Sequence, residues 1–262
     1  MPELPEVATY EKYFHYTALH KKVTRVTVEE ERVVLTTPEQ LSEALTGQTF
    51  EATDRIGKHL FVKLSSGQWM SLHFGMTGRL KYFKDKEDQH RFTKVLFSLD
   101  NGYHLAFVCP RILGRVGITD DPAAYRKQKR LGEDALKISL EAFQQKLSGR
   151  KGLIKPLLMN QNIVAGLGNW IVDDILYQTG LHPETPANAL DDEKISLIYE
   201  KMQYIINTAI ELEARYDDFP AHFLITHREE GARSTRYDGD IIRMVVGGRG
   251  TYICPEGQQL HG

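Results

Sequence analysis

The sequence predicts an α+β fold: an N-terminal β-sandwich domain opened by a helix, then a helical C-terminal domain that ends in a β-hairpin. Three observations carry this. Apolar residues alternate with a period of two, broken by tight-turn signals, from about Val23 to Ile118. After about Pro122 they recur at helical spacing. From Gly239 to Pro255 the alternation returns around Gly247-Gly248.

Residues 5–20 read as a helix, with Pro5 suited to its first position and Glu6 to its first turn. Strands follow at Val23–Val28, His59–Leu64 and Lys94–Leu99, with turns at Ser65-Ser66-Gly67 and Asp100-Asn101-Gly102. Many short strands joined by tight turns point to a sandwich or barrel. Helical spacing then covers Leu140–Leu147, Leu153–Asn160, Asn169–Thr179, Asp192–Ala214 and Phe219–His227. Gly166-Leu167-Gly168 interrupts this series, and Gly180-Leu181-His182-Pro183 stops the helix before it. The last element reads as a hairpin turned by Gly247-Gly248, with Thr251-Tyr252-Ile253 on its return strand.

Composition narrows the function classes. The 262 residues are 41% hydrophobic and 26% charged, a globular balance that excludes disordered, collagen-like and coiled-coil chains. Two distant cysteines, Cys109 and Cys254, cannot build a disulfide framework or a four-thiolate zinc site, and they suit a reducing, cytoplasmic setting. The N-terminus has neither the basic region nor the apolar run of a signal peptide, and no stretch approaches the length of a transmembrane helix. The net charge is −2, yet Asp54–Arg130 carries 15 Lys and Arg against 7 Asp and Glu, a local +8 that leaves −10 for the rest. Such a basic stretch reads either as a footprint for nucleic acid or as a solvated surface.

Several groups carry chemistry. Pro2 follows Met1, and removal of Met1 leaves a secondary amine that attacks carbonyl-like carbons and whose iminium is an electron sink. Glu3 lies beside it as an acid or base. Proline is also common at position two in chains that make no use of it. The loops His73–Gly78 and Pro110–Gly114 present Met76, Arg111 and Leu113 beside glycines, either as wedges for a base stack or as core. Gln161–Trp170 sets a glycine turn before a helix opened by Asn169, a phosphate-binding corner or a simple cap, with Lys155 near it in sequence. Arg249 stands at a glycine-lined hairpin tip, suited to phosphates or to plain exposure.

Taken in order along nearly the whole chain, these motifs resemble the formamidopyrimidine-DNA glycosylase / endonuclease VIII family. Met1-Pro2-Glu3-Leu4-Pro5-Glu6-Val7 is similar to the start of the formamidopyrimidine branch, and Arg55-Ile56-Gly57-Lys58 to its catalytic-lysine loop. His73–Gly78 and Pro110–Gly114 resemble its intercalation loops, Ile154–Met159 with Val164–Asn169 its helix–two-turn–helix motif, and Gly248–Pro255 the second half of its zinc finger. The resemblance implies a bifunctional glycosylase and abasic-site lyase of base-excision repair, acting on double-stranded DNA with damaged bases or abasic sites. Pro2 would form the Schiff base, Glu3 would assist sugar-ring opening, and Lys58 would hold a phosphate, with β- and δ-elimination to follow. Asn169, Arg249, Lys155 and Arg111 would bind DNA, and Met76, Arg111 and Leu113 would fill the space left by the flipped nucleotide. The implied domains are a sandwich over 1–125, a linker over 126–138, a helix–two-turn–helix domain over 139–230 and the finger over 231–262. A cytoplasmic monomer without membrane contact is expected, nucleoid-associated if bacterial.

Three departures from the family pattern matter. Of four expected finger cysteines only Cys254 remains, and Gly257 stands at the place of the fourth, so the expectation is a zincless finger with no metal or other cofactor. Ile112-Leu113 replaces the usual Arg-Phe. His227–Gly239 is short for the loop that covers 8-oxoguanine. Formamidopyrimidines and abasic sites rank first as substrates, then oxidised pyrimidines, with 8-oxoguanine left open. The competing readings are a tautomerase using Pro2 as a base and a catalytically silent damaged-DNA binding protein. Abasic-strand cleavage separates them.

Overall fold

The computed structural model describes residues 1–261. It divides into two compact units, Met1–Pro2 with Glu6–Arg130, and Glu3–Pro5 with Leu131 onward.

Helix α1 (Leu4–Thr17) opens the chain and stops three residues earlier than the pattern predicts, because His20 takes a left-handed φ of 64°. Two four-stranded antiparallel sheets form the first unit. One orders β1 (Val23–Val28), β6 (Thr93–Leu99), β7 (His104–Val108) and β5 (Arg79–Phe83). The other orders β2 (Phe50–Ile56), β3 (His59–Leu64), β4 (Trp69–His73) and β8 (Arg115–Thr119). The alternation in β6 puts Thr93, Val95, Phe97 and Leu99 inside. Val95, Phe97 and Leu105 of one sheet and Leu60, Val62 and Leu72 of the other share one core with Val7 and Phe14. This is a sandwich closed by burial of both inner faces.

Two short helices escaped the sequence reading. Helix α2 (Pro38–Leu45) is set by a Thr37–Gln40 capping box with Pro38 in its first turn. Helix α3 (Pro122–Gln128) is set by Asp121, whose carboxylate accepts the N–H groups of Ala123 and Ala124. The segment expected as a bare connection therefore holds the end of α3 and the short strand β9 (Glu133–Asp134).

In the second unit β9 pairs in parallel with β10 (Val164–Ala165). The helices are α4 (Leu140–Leu147), α5 (Ile154–Met159), α6 (Asn169–Thr179) and α7 (Asp192–Glu211). Their core gathers Phe143, Ile154, Leu158, Ile171, Ile175, Ile198 and Met202, and Leu4 belongs to it. The helix expected over Phe219–His227 is absent. Two 3-10 turns, Tyr216–Asp218 and Leu224–His227, stand there, because Pro220 lacks an N–H and drives Phe219 to extended backbone. The terminal hairpin is β11 (Ile242–Val246) and β12 (Arg249–Ile253), closed by Gly247 and Gly248 at φ of 56° and 73°. Two successive left-handed residues match the twist of a two-residue hairpin turn.

Candidate active site

In the second unit, the chemistry gathers at the N-terminus of α6. The Glu3 carboxylate accepts the Trp170 N–H through Oε1 at 3.1 Å and the Ile171 N–H through Oε2 at 3.4 Å. These are orphan donors of the helix start, and its positive end favours an anion there. The two glycines before α6 make the approach possible. A Cβ on Gly168 would lie 2.1 Å from the Glu3 carboxyl carbon, and one on Gly166, at φ +116°, would lie 2.5 Å from Leu4 Cδ1. The Leu4 N–H also bonds the Gly166 carbonyl at 3.2 Å. This corrects the reading of Gln161–Trp170 as a phosphate corner. Its helix-start amides at Trp170 and Ile171 are spent on Glu3, so the turn seats an acid beside Pro2 in sequence. Pro2 is itself buried, and Met1 is exposed.

Asn169 does not cap its own helix; Gly168 is the cap residue. Its Nδ2 donates to the Gly250 carbonyl at 2.9 Å, and its Oδ1 is enclosed without a partner. Lys155 departs from expectation. Fully buried, its Nζ donates to Asp173 Oδ1 and to Thr251 Oγ1, each at 2.6 Å. An ammonium committed to a buried carboxylate is not a phosphate ligand, so Lys155 acts here by holding β12. Asp173 Oδ2 also takes Arg228 through Nε at 3.0 Å and Nη2 at 2.6 Å. Burial pushes the Lys155 amine down and the Asp173 carboxyl up, while their attraction opposes both. The neighbouring Asp174 is raised to about 7 by burial and accepts the Ile225 N–H at 3.0 Å. Arg249 is exposed at the start of β12. Asp173 and Arg228 escaped the sequence reading, although two adjacent acids inside the apolar run Trp170–Leu176 are an unusual signal.

In the first unit, Lys58 follows Gly57 (φ 57°) in the turn between β2 and β3, and the buried Arg55 guanidinium donates to the Gly57 carbonyl at 2.9 Å. Met76 and Leu113 are 38% and 44% exposed, which removes the core reading of these two side chains, and Arg111 is exposed too. Their loops are braced together. A Cβ on Gly75 would meet the Leu113 carbonyl carbon at 2.5 Å, and the Arg111 N–H reaches Thr77 Oγ1 at 3.4 Å.

Beside Lys58, the rings of His59 and His73 lie 4.8 Å apart across β3 and β4, and Tyr125 packs edge-on against His59. Burial, then His73, Lys129 and Lys58, push His59 down to about 3, against a bond to the Ile56 backbone. Burial, Lys58 and Arg115 push His73 down to about 4. Both rings are neutral at pH 7, so Lys58 has no cationic imidazole beside it. An unfolded imidazole binds its proton from about pH 6.5 downward and these folded rings do not, so stability falls as pH drops from there toward 4. His59→Phe keeps the ring packing and deletes an Nδ1 that has no partner together with the bond to the Ile56 backbone. It is expected to unfold within about 1 kcal/mol of the parent at pH 7 and to lose less between about pH 6.5 and 4.5, as read by urea unfolding.

The family model of the formamidopyrimidine-DNA glycosylase N-terminal domain matches residues 1–116, and that of the formamidopyrimidine-DNA glycosylase H2TH domain matches residues 131–219. A formamidopyrimidine-DNA glycosylase of Arabidopsis thaliana is 32% identical over 280 residues, covering 100% of this chain and 72% of the plant protein. One from Pelotomaculum thermopropionicum is 32% identical over 276 residues, covering 99% of this chain and 100% of its own. Among solved structures, the Lactococcus lactis formamidopyrimidine-DNA glycosylase bound non-covalently to abasic-site DNA superposes with a TM-score of 0.91 at 27% identity, covering 98% of this chain and 100% of that one. The same enzyme in complex with DNA containing N7-benzyl-Fapy-dG gives 0.89 at 27% identity, with the same coverage.

Proposed function

The chain belongs to the formamidopyrimidine-DNA glycosylase family, and from that premise we propose that it excises oxidised bases from double-stranded DNA through a Schiff base on Pro2 and cleaves the resulting abasic site. It is a DNA glycosylase of base-excision repair with abasic-site lyase activity. The single observation that carries the mechanism is the seat of Glu3. A carboxylate next in sequence to Pro2 accepts the Trp170 and Ile171 N–H groups at a helix N-terminus, in space that a side chain on Gly168 would fill.

In the proposed reaction Met1 is removed, and the neutral Pro2 nitrogen bonds C1′ as the base departs with the glycosidic electron pair, the amine proton passing to the departing base. Glu3 protonates the ring oxygen, the C1′–O bond breaks, and a C1′ iminium forms. The iminium acidifies the C2′ hydrogens, so loss of one expels the 3′ phosphate and a second elimination expels the 5′ phosphate. Lys58 holds a backbone phosphate near the lesion, and Arg249 grips those around the flipped nucleotide. Met76, Arg111 and Leu113 fill the void from their braced loops.

The segment from Arg228 to Asp240 supports the substrate order of formamidopyrimidines and abasic sites first. It folds back on itself, through Gly231 N–H to the Ile241 carbonyl at 2.8 Å and Ser234 N–H to the Gly239 carbonyl at 3.0 Å. Backbone committed in this way is not a long cover over a lesion, so 8-oxoguanine is placed last.

The finger is proposed to work without zinc. The donor set and the space both disfavour a metal. A Cβ on Gly257 would lie 2.1 Å from the Tyr237 ring, and the Cys254 thiol already bonds Glu256 at 3.4 Å. Tyr237 instead ties the hairpin down, its hydroxyl donating to the Tyr177 carbonyl at 2.7 Å and its ring packing edge-on against Tyr177. Metal analysis is expected to find no stoichiometric zinc, and a chelator to leave the melting temperature unchanged. Tyr237→Ala is expected to cost about 3 kcal/mol. One zinc per chain would overturn the reading.

The test of the function is borohydride trapping on duplex DNA with one abasic site. The expected result is a covalent adduct mapping to the Pro2 peptide. Bound DNA without an adduct, with Met1 shown to be absent, would instead identify a silent damaged-DNA binder.

A further inference from the structure

We propose that Arg228 is a positioning residue for Arg249, acting through Asp173 and Tyr252 rather than on DNA itself. The inference rests on the proposed DNA-binding role of Arg249. The three residues that follow Arg249 in β12 are tied down. The Gly250 carbonyl accepts from Asn169, Thr251 Oγ1 accepts from Lys155, and the Tyr252 N–H reaches Asp173 Oδ2 at 3.4 Å. Two of these ties lead to Asp173, directly or through Lys155. Arg228 closes the arrangement from a different part of the chain. Its fork grips Asp173 Oδ2, and its guanidinium lies 4.4 Å from the centre of the Tyr252 ring. That geometry combines a charge-assisted two-pronged bond with a cation–π contact, and lysine, a point charge, cannot make the fork or hold both at once.

The chemistry separates Arg228 from Lys155. The buried carboxylate faces two cations, Lys155 and Arg228. Loss of Lys155 strips a fully buried member from the network. Loss of Arg228, whose side chain is 19% exposed, leaves a one-to-one Lys155–Asp173 pair that is still compensated. The expected consequence of losing Arg228 is therefore a looser β12 in a folded protein. An exposed Arg at a hairpin tip binds a phosphate well only if its strand is held before DNA arrives.

The test measures affinity for a duplex carrying a non-cleavable abasic analogue across a salt series. The proteins are wild type, Arg228→Ala, Arg249→Ala, their double variant and Arg228→Lys. Arg228→Ala is expected to weaken binding about tenfold and to lower the salt slope by about one phosphate contact, and the double variant to bind no more weakly than Arg249→Ala. Arg228→Lys is expected to bind like Arg228→Ala, because a retained charge without the fork does not fix the strand. Additive losses, a slope lowered twice in the double variant, rescue by lysine, or wild-type affinity of Arg228→Ala would each overturn the proposal. If Arg228→Ala does not fold, Tyr252→Leu replaces it in the same cycle and is held to the same non-additivity. Wild-type protein that fails to bind the duplex would sink the functional reading instead, so the two failures are distinguishable.

Discussion

A chain whose N-terminus is blocked ahead of Pro2 is expected to bind damaged duplex within a few-fold of the processed protein and to cleave it on the order of a thousandfold more slowly, a barrier increase of about 4 kcal/mol. The reasoning is electronic. With any residue joined before it, the Pro2 nitrogen becomes an amide, whose lone pair is delocalised into the carbonyl and does not attack carbon. The folded arrangement of Glu3 against Trp170 and Ile171 does not depend on that nitrogen, so the site persists while its nucleophile is gone. Pro2→Gly is the milder companion. A primary amine still condenses with an aldehyde, but its imine must be protonated to become an electron sink, whereas proline yields a permanently charged iminium. Slower turnover with retained affinity is expected, together with a trapped adduct. Single-turnover cleavage with parallel binding measurements reads both, and full cleavage by the blocked chain would contradict an amine mechanism.

Much of this architecture was legible because local signals agreed with the fold. The alternation of β6 and the Gly247-Gly248 turn need no tertiary information to be recognised. Where tertiary contacts decided the outcome, the sequence misled. The pattern of Phe219–His227 is the exception, a local miss: its apolar spacing looks helical, but Pro220 breaks it. Lys155 looks like a phosphate ligand, because nothing in Ile154-Lys155-Pro156 reveals that Asp173, eighteen residues on, draws it inside. The amides before Ile171 look free for a phosphate, because their partner, Glu3, lies 167 residues before Trp170. Pairings at that separation are set by how elements pack and not by their local pattern. Exposure of Met76 and Leu113 was likewise undecided in the sequence, since apolar side chains near glycine serve cores and wedges alike. The missed helices α2 and α3 are a different case. Thr37-Pro38 with Gln40, and Asp121-Pro122, are start signals that local reasoning contains, outweighed by the strands around them.

Glu3→Gln is expected to reduce base excision by about two to three orders of magnitude while leaving cleavage of a preformed abasic site far less affected. Glutamine keeps the length of the side chain and one oxygen for the Trp170 N–H, so Gly168 still accommodates it. Its amide nitrogen then faces the Ile171 N–H, donor to donor, and the charge that favoured the helix terminus is lost. A stability cost of about 1 kcal/mol follows, too little to unfold the protein. The chemistry loses more. A carboxylate beside the amine serves first to take the proton that makes the Pro2 amine neutral and then to return one to the sugar oxygen. Glutamine does neither. An intact nucleoside needs both steps before its ring opens, whereas an abasic sugar already equilibrates with its open aldehyde and presents it to the amine directly. The ratio of excision to abasic cleavage therefore distinguishes the roles assigned to the two N-terminal residues. Blocking Pro2 removes both activities together, and Glu3→Gln separates them. Equal loss of the two activities in Glu3→Gln, with an unchanged melting temperature, would place Glu3 in the elimination steps instead of ring opening.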